Sequence, residues 1–338
     1  MARCLSPYFA IAFLLGAFVN YFIAMDFGFF PADEVLEDRH RRDGETSPDR
    51  MKSIMDDIPT KPIVNTRTTQ ARTTSWTGPR FGQTVKGMKH IIIMNDVPRT
   101  GSRLLYRAAL NAFDYNWTSV TDHLVRIEYE KKNIEEVQQL KPPAFVHGHT
   151  SFYPYTDIWE NPPIYINFMR EPIARMESNF YYERFGDYAQ DPSIHHNDNL
   201  TLEQCVNKGL VWCGPWWNWH ILFCGYESQC QTDHAWSLEK AKENIDQHYT
   251  FIGITEEFET SLQIIERLVP DLLGGLLKAY KELNDDGTNW NELFRTRDKK
   301  RLSPRLVDKA REIMKEDVEL YEYAYEKFRQ LKTRFGLE

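Results

Sequence analysis

Residues 90–113 read HIIIMNDVPRTGSRLLYRAALNAF, and this stretch sets the architecture. From His90 to Asn95 the central residues Ile91 to Met94 are apolar without alternation, the pattern of a strand buried on both faces. Pro98 and Gly101 then break the chain into a turn, and a helix is expected from about Ser102 to Phe113. Strand, loop, helix is a βα unit, and the pattern recurs. A polar helical stretch from Arg126 to Leu140 stops before Pro142-Pro143, and Ala144 to His147 follow as a second short strand. Ile164 to Met169 is a third, running into Arg170 and a helix with Pro172 near its first position. Thr250 to Ile254 is a fourth, between helices at about Ser237–Asp246 and Glu257–Leu268. Ser303 as N-cap and Pro304 at the first helical position open one last long helix, with Leu306, Ala310, Ile313, Met314, Leu320, Tyr321, Ala324 and Phe328 at helical spacing. Alternating strands and helices predict an α/β fold, a parallel β-sheet flanked by helices.

Composition removes whole classes of function. Hydrophobic residues at 42% and aromatics at 14% exclude a disordered chain, and 27% charged residues exclude a polytopic membrane protein. The 338 residues suffice for one α/β domain of about 250 beyond a terminal anchor. A net charge of -8 argues against coating nucleic acid through bulk charge, so any polyanion must be met by a local basic patch.

The amino terminus points to a compartment. Cys4 to Met25 is a run of 22 uncharged residues, long enough as a helix to cross roughly 30 Å of bilayer core. No small-residue cleavage site follows near Ala24 or Asp26, so an uncleaved signal anchor is expected. Flank charge does not set the orientation, since Arg3 is opposed by Arg39, Arg41 and Arg42 beyond the span. Two acceptor sequons, at Asn116 and Asn199, are usable only in the lumen. Cys205, Cys213, Cys224 and Cys230 allow three connectivities, of which neighbour pairing closes two short loops; their spacings lack the CxxC clip of a zinc site. Disulfides imply an oxidising compartment. Pro31, Pro48, Pro59, Pro62 and Pro79, with a Thr-rich stretch from Thr60 to Thr77, mark a stem. The expected layout is a cytoplasmic tail at 1–7, a transmembrane helix at 8–30, a lumenal stem at 31–88 and a folded domain at 89–338, as in single-pass type II Golgi membrane enzymes.

In such sheets ligands bind at the carboxyl ends of the strands. Three ends carry suitable residues. After the first strand, Gly101 permits close backbone approach and Thr100 and Ser102 supply hydroxyls, although the spacing is not that of a Walker A loop and an ordinary tight βα turn looks the same. After the third, Arg170 leaves the strand and Ser178 lies two turns into the helix, a pair suited to clamping one phosphate. At the second, His147-Gly148-His149 presents imidazole; a lone histidine is more often structural, but two anion-binding loops beside it favour a general base.

Taken together, VPRTGS at 97–102, AFVHGHTSF at 144–152, IYINFMREPIARMESNFYYERFGD at 164–187, the four cysteines with FCGYESQC at 223–230, and FIGITEEFE at 251–259 before a long C-terminal helix resemble the uronyl and heparan sulfate 2-O-sulfotransferases, including the Pipe-like sulfotransferases. The likeness runs in order from about residue 90 to 330. It implies a P-loop-like sulfotransferase fold in the Golgi and transfer of a sulfuryl group from 3′-phosphoadenosine 5′-phosphosulfate to the 2-hydroxyl of a uronic acid in a glycosaminoglycan: heparan, dermatan or chondroitin sulfate. It implies no metal, no nucleic acid partner, and a homotrimer. Carried over by position, Arg99, Thr100, Gly101, Ser102 and Arg103 would hold the 5′-phosphosulfate, and Arg170 with Ser178 the 3′-phosphate. His149 would be the base, His147 a substrate or support residue, and the run Arg295, Arg297, Lys299, Lys300 and Arg301 part of a loop over the nucleotide.

Three departures qualify the acceptor. Arg99 stands where the family usually has Lys, keeping the charge but unable to hand over a proton readily. Asp96 stands where heparan sulfate enzymes present a basic residue to the polymer, and a carboxylate there would repel it. Tyr188 to Asn199 offers His195 and His196 where such enzymes are strongly basic. A catalytically inactive relative that binds nucleotide or glycan, or a sulfotransferase for another glycan, fits the same departures. A Golgi glycosyltransferase shares the membrane layout but generally uses an Asp-x-Asp metal motif, absent here from any plausible strand end.

Overall fold

A computed structural model of the chain describes residues 77–113, 116–119, 134–185, 200–210, 213–214, 218–283 and 299–338. Its five strands, β1 (Ile91–Asn95), β2 (Asn116–Ser119), β3 (Ala144–Gly148), β4 (Ile164–Met169) and β5 (Tyr249–Ile254), form one sheet in the order β2-β3-β1-β4-β5. Every neighbouring pair is parallel. All residues of β1, β4 and β5 are buried. Successive side chains point to opposite faces, so both faces of the sheet are covered, as the unbroken apolar runs require. Between β3 and β4 the chain steps from one side of β1 to the other. That reversal opens a crevice beyond the carboxyl end of β1, flanked by the ends of β3 and β4.

The helices that frame this crevice and cover the sheet include α1 (Ser102–Ala112), α2 (Pro172–Phe185), α3 (Leu202–Asn207), α4 (His220–Cys224), α5 (His234–His248), α6 (Phe258–Leu268), α7 (Leu276–Glu282), α8 (Pro304–Ile313) and α9 (Lys315–Arg334). Start signals in the sequence explain several. Thr201 and Gln204 form a capping box at α3, Asp233 accepts from Trp236 N at α5, and Ser303 accepts from Leu306 N ahead of Pro304 at α8. Neighbouring cysteines pair, Cys205 with Cys213 and Cys224 with Cys230.

Three features differ from the expectations drawn from sequence. The edge strand β2, Asn-Trp-Thr-Ser, has no strand-like pattern and is recruited by parallel pairing with β3. The long last helix is two helices, broken at Met314 (φ −101°, ψ 29°). The break has a packing cause. Leu306, Ala310 and Met314 fill a small cluster with Ile173, Met176, Phe180 and Cys205, whereas Leu320, Ala324, Phe328 and Leu331 fill the main core. One straight helix cannot aim its stripe at both. Finally, residues assigned to the end of the stem are bound to the domain: Gly82 N donates to Thr250 O at 2.9 Å, Val85 N to Leu268 O at 2.7 Å, and the Arg334 guanidinium to Gly82 O at 2.7 Å.

The aromatic residues of α9 are tied to their own chain, Tyr321 to Glu256, Tyr325 to Glu257 and Tyr323 to Asp246. No helix among the described residues is long and apolar enough to cross a membrane. The expected anchor at 8–30, most of the stem, the sequon at Asn199, His195, His196, Arg295 and Arg297 lie outside the described residues. The other sequon residue, Asn116, opens β2 at the sheet edge.

Candidate active site

β1 ends in Asn95, whose buried polar contacts tie together several parts of the chain. Its Oδ1 accepts from the Tyr249 hydroxyl of β5 at 2.7 Å, its carbonyl accepts from Asn167 Nδ2 of β4 at 2.7 Å, and its own Nδ2 donates to Leu222 O at 3.2 Å. Each such bond contributes about 1 kcal/mol net, and leaving one unmade inside the protein costs more. The end of β1 is therefore held in one place.

From this floor the chain enters the loop before α1. Arg99 (φ 71°) and Gly101 (φ 88°) both adopt the left-handed conformation. The loop carbonyls are engaged inward: Val97 O accepts from Thr100 Oγ1 at 2.8 Å, Arg99 O from Arg170 at 3.2 Å, Thr100 O from Thr255 Oγ1 at 2.7 Å, and Gly101 O from Leu104 N at 3.0 Å. With its acceptors turned away, the loop has the polarity of an anion-binding nest. α1 has no side-chain cap and no acidic residue in its first turn, so none of its own side chains opposes the positive end of its dipole. Only glycine fits at 101, because a Cβ there would lie 3.1 Å from the Phe258 ring on a backbone that side chains rarely adopt.

Cations gather around this loop. Arg99 Nε donates to Ser178 Oγ at 3.2 Å, and its guanidinium lies 3.8 Å from the centroid of the Tyr182 ring. Arg103 reaches the same residue, donating to the Tyr182 hydroxyl at 2.6 Å. Lys299 stands 3.4 Å from Glu177, and Lys300 N donates to the Tyr181 hydroxyl at 3.0 Å, which brings this segment against α2. Burial and the charges of Arg170 and Arg99 push the Lys299 ammonium below its ordinary value, against the pull of Glu177. Burial likewise lowers Arg170, although Glu256, Glu177 and Glu171 oppose it. Close positive charges in a partly dry site are the condition for holding a multiply charged anion. Arg99, Thr100, Gly101, Ser102, Arg103, Arg170, Ser178 and Lys299 thus belong to one region, with Lys300 and Arg301 following at its margin; all three residues from Lys299 to Arg301 are exposed.

The histidines approach from β3. His147 is the one residue of that strand not fully buried, and it packs against Tyr106 of α1 with ring centroids 4.0 Å apart and planes tilted by 34°. Burial pushes its imidazole below the ordinary value; Asp96 pulls it up and His149 pushes it further down. His149 leaves the strand end with its side chain 39% exposed. Its Nδ1 donates to the Asp96 carbonyl at 3.0 Å and lies 3.4 Å from Asp96 Oδ2. Asp96 itself is 3% exposed, and its carboxylate sits against His149.

Behind the site, α2, α4 and α9 meet in a buried polar cluster. Asp317 accepts from His220 Nδ1 at 2.8 Å, from His220 N at 2.8 Å and from Trp219 N at 3.1 Å, and lies 3.6 Å from Arg175. Burial pushes the Asp317 carboxyl up, but its bond to His220 and the charges of His220 and Arg175 outweigh that and hold it below its usual range. Burial pushes Arg175 down to about 10. The cluster fixes α2, the helix that carries Ser178 and Tyr182. Sequence patterns do not reveal this cluster, and they do not single out Tyr182, whose only signal is its position one turn beyond Ser178.

Comparison with known proteins agrees with this geometry. The profile of the sulfotransferase family matches residues 84–324. Heparan sulfate 2-O-sulfotransferase 1 of Xenopus laevis is 29% identical over 307 residues, which cover 88% of this chain and 78% of that protein. The mouse protein of the same name is 30% identical over 280 residues, covering 76% of each chain. Human uronyl 2-sulfotransferase is 28% identical over 264 residues, covering 73% of this chain and 64% of that one. A parallel α/β sheet, an inward-bonded anion loop at its switch point and a match over most of the chain lead to one conclusion: this protein belongs to the sulfotransferase family.

Proposed function

We propose that this protein transfers a sulfuryl group from 3′-phosphoadenosine 5′-phosphosulfate to the 2-hydroxyl of a uronic acid in a glycosaminoglycan. The single observation that carries the reading is the convergence, at the end of β1, of the Arg99–Arg103 loop, Arg170 with Ser178, and His149. Relatives named for 2-O-sulfation of heparan sulfate and of uronyl residues support the acceptor class.

In this reading Arg99, Thr100, Gly101, Ser102 and Arg103 hold the 5′-phosphosulfate, and Arg170, Ser178 and Lys299 the 3′-phosphate, with Lys300 and Arg301 beside them. The donor supplies the sulfuryl group and leaves as 3′-phosphoadenosine 5′-phosphate. His149 Nε2, the nitrogen opposite the Nδ1 that donates to Asp96 O, takes the proton of the sugar hydroxyl as its oxygen bonds to sulfur. Arg99 contributes charge and hydrogen bonds to the departing phosphate oxygen rather than a proton, since guanidinium stays protonated. His147 supports the acceptor side. Positioning and charge stabilisation do most of the work, as in phosphoryl transfer.

Two disulfides support an oxidising compartment. A Golgi lumenal domain on a type II anchor at 8–30, and the homotrimer implied by the family resemblance, belong to the same reading. The test is transfer of labelled sulfate by the full-length protein to heparan, chondroitin, dermatan and desulfated chains, beside His149→Ala. Label on the 2-position of a uronic acid, lost in the variant, establishes reaction, acceptor and base. Binding of 3′-phosphoadenosine 5′-phosphate without transfer to any chain would instead identify an inactive nucleotide-binding relative.

A further inference from the structure

Asp96 is a buried acid whose charge the anion-binding loop has no use for. It follows β1 directly, is 3% exposed, and its Oδ1 is buried with no hydrogen-bond partner among the described residues. A carboxylate in that state costs several kcal/mol unless a cation offsets it. Histidines flank it. His149 Nδ1 lies 3.0 Å from its carbonyl and 3.4 Å from its Oδ2, and His147, packed against Tyr106, is close enough to feel its charge.

We infer that Asp96 is a positioning residue for His149, holding the imidazole with Nδ1 turned inward and stabilising the imidazolium that forms when Nε2 accepts the acceptor's proton. The inference rests on the reading of His149 as the base. A neutral imidazole carries one N–H; committing it at Nδ1 to the Asp96 carbonyl leaves the Nε2 lone pair for the substrate. The carbonyl alone selects that tautomer. The carboxylate adds what a carbonyl cannot, a full negative charge 3.4 Å from the ring as it becomes cationic. The proton passes from the sugar hydroxyl to Nε2, and Nδ1 keeps its own. An acid at position 96 therefore serves the base from beneath.

The test is a double-mutant cycle in the full-length enzyme, with labelled 3′-phosphoadenosine 5′-phosphosulfate as donor and de-O-sulfated heparin and dermatan as acceptor probes. Asp96→Asn keeps size and acceptor capacity but removes charge, and is expected to lower kcat roughly 10- to 100-fold, the scale of one interaction with a charged group, while KM for the donor and calorimetric binding of 3′-phosphoadenosine 5′-phosphate stay unchanged. Asp96→Glu, which restores the charge, is expected to recover part of the loss. In a His149→Ala background, Asp96→Asn should cost nothing further, because two residues acting as a unit are not additive. Equal losses in both backgrounds, or an unchanged kcat, would overturn the inference and make Asp96 a structural residue. Full activity in His149→Ala would instead refute the base assignment itself, a different outcome. If Asp96→Asn lowers the melting temperature, the kinetic comparison is made well below it, where that variant is as fully folded as the wild type.

Discussion

The guanidinium of Arg99 lies over Tyr182, 3.8 Å from the ring centroid, with its Nε bonded to Ser178. Arg99 is therefore already oriented by α2. A lysine there would lose both the stack and the fork, so Arg99 and Tyr182 work as a pair.

Removing the ring should loosen that pair. Tyr182→Ala is expected to weaken binding of 3′-phosphoadenosine 5′-phosphate about 5- to 10-fold, the scale of a cation–π contact, with the melting temperature little changed. Tyr182→Phe keeps the stack and loses only the Arg103 bond, and should show a smaller effect. Isothermal calorimetry on the two variants separates them; equal losses would assign the effect to the hydroxyl.

Gly101 permits a sharper test. Gly101→Ala meets the Phe258 ring at 3.1 Å and holds a side chain at φ 88°, so a destabilisation of about 1–2 kcal/mol and loss of nucleotide binding are expected. Adding Phe258→Leu relieves the contact but not the backbone conformation. Binding should therefore stay impaired in the double variant; its full recovery would show that space, not conformation, requires glycine.

The Asp317 cluster predicts a large stability effect directly behind the loop, where Arg175, His220 and Asp317 line the same cavity as Thr100 and Arg170. Asp317→Ala strands Arg175 and two backbone amides in the interior and should cost about 3–5 kcal/mol, read as a shift in the denaturant midpoint. Asp317→Asn, which keeps the acceptor, should cost less. If the two variants melt alike, the charge rather than the hydrogen bonds holds α9 to α2 and α4.

Acid should weaken the fold before it protonates most carboxylates. Burial, with help from Lys240 and Arg80 and against Glu243, pushes His248 down to about 4 from an ordinary 6.5. Its folded pKa is depressed, so between those values the unfolded chain binds more protons; the contribution is fully present above pH 6.5 and is lost as pH falls toward 4. Urea unfolding at pH 7.5, 6 and 5 should show decreasing stability, and His248→Gln should flatten that slope. An unchanged slope would place the responsible protons elsewhere, with His147, lowered in the same sense, as the next group to test.

The amino-terminal border of the domain can be checked by truncation. A chain starting at residue 89 lacks Val85 and the Gly82 and Val85 bonds to Thr250 and Leu268, and should melt well below one starting at 77. Identical melting curves would mean that these bonds add nothing to the fold.

What the sequence determined by itself is whatever a local pattern can encode. Mostly apolar runs without alternation at Ile91–Asn95 and Ile164–Met169 read as strands covered on both faces, and Ser303-Pro304 as the start of a helix. Gly101 marked the loop, and Arg170, Ser178 and the histidines of β3 marked the other strand ends, because residues at the carboxyl ends of parallel strands converge whatever lies between them. The tertiary structure decided what depends on neighbours far along the chain. β2 is a strand because β3 offers its edge to four polar and aromatic residues. The last helix bends at Met314 because two separate cores claim its two halves. Asp317 is buried because His220 and Arg175, 97 and 142 positions away by number, arrive to satisfy it, and Asp96 faces His149 because β1 and β3 run side by side. Periodicity records how much of a side chain is hidden from water; which partner hides it is chosen only when the sheet closes.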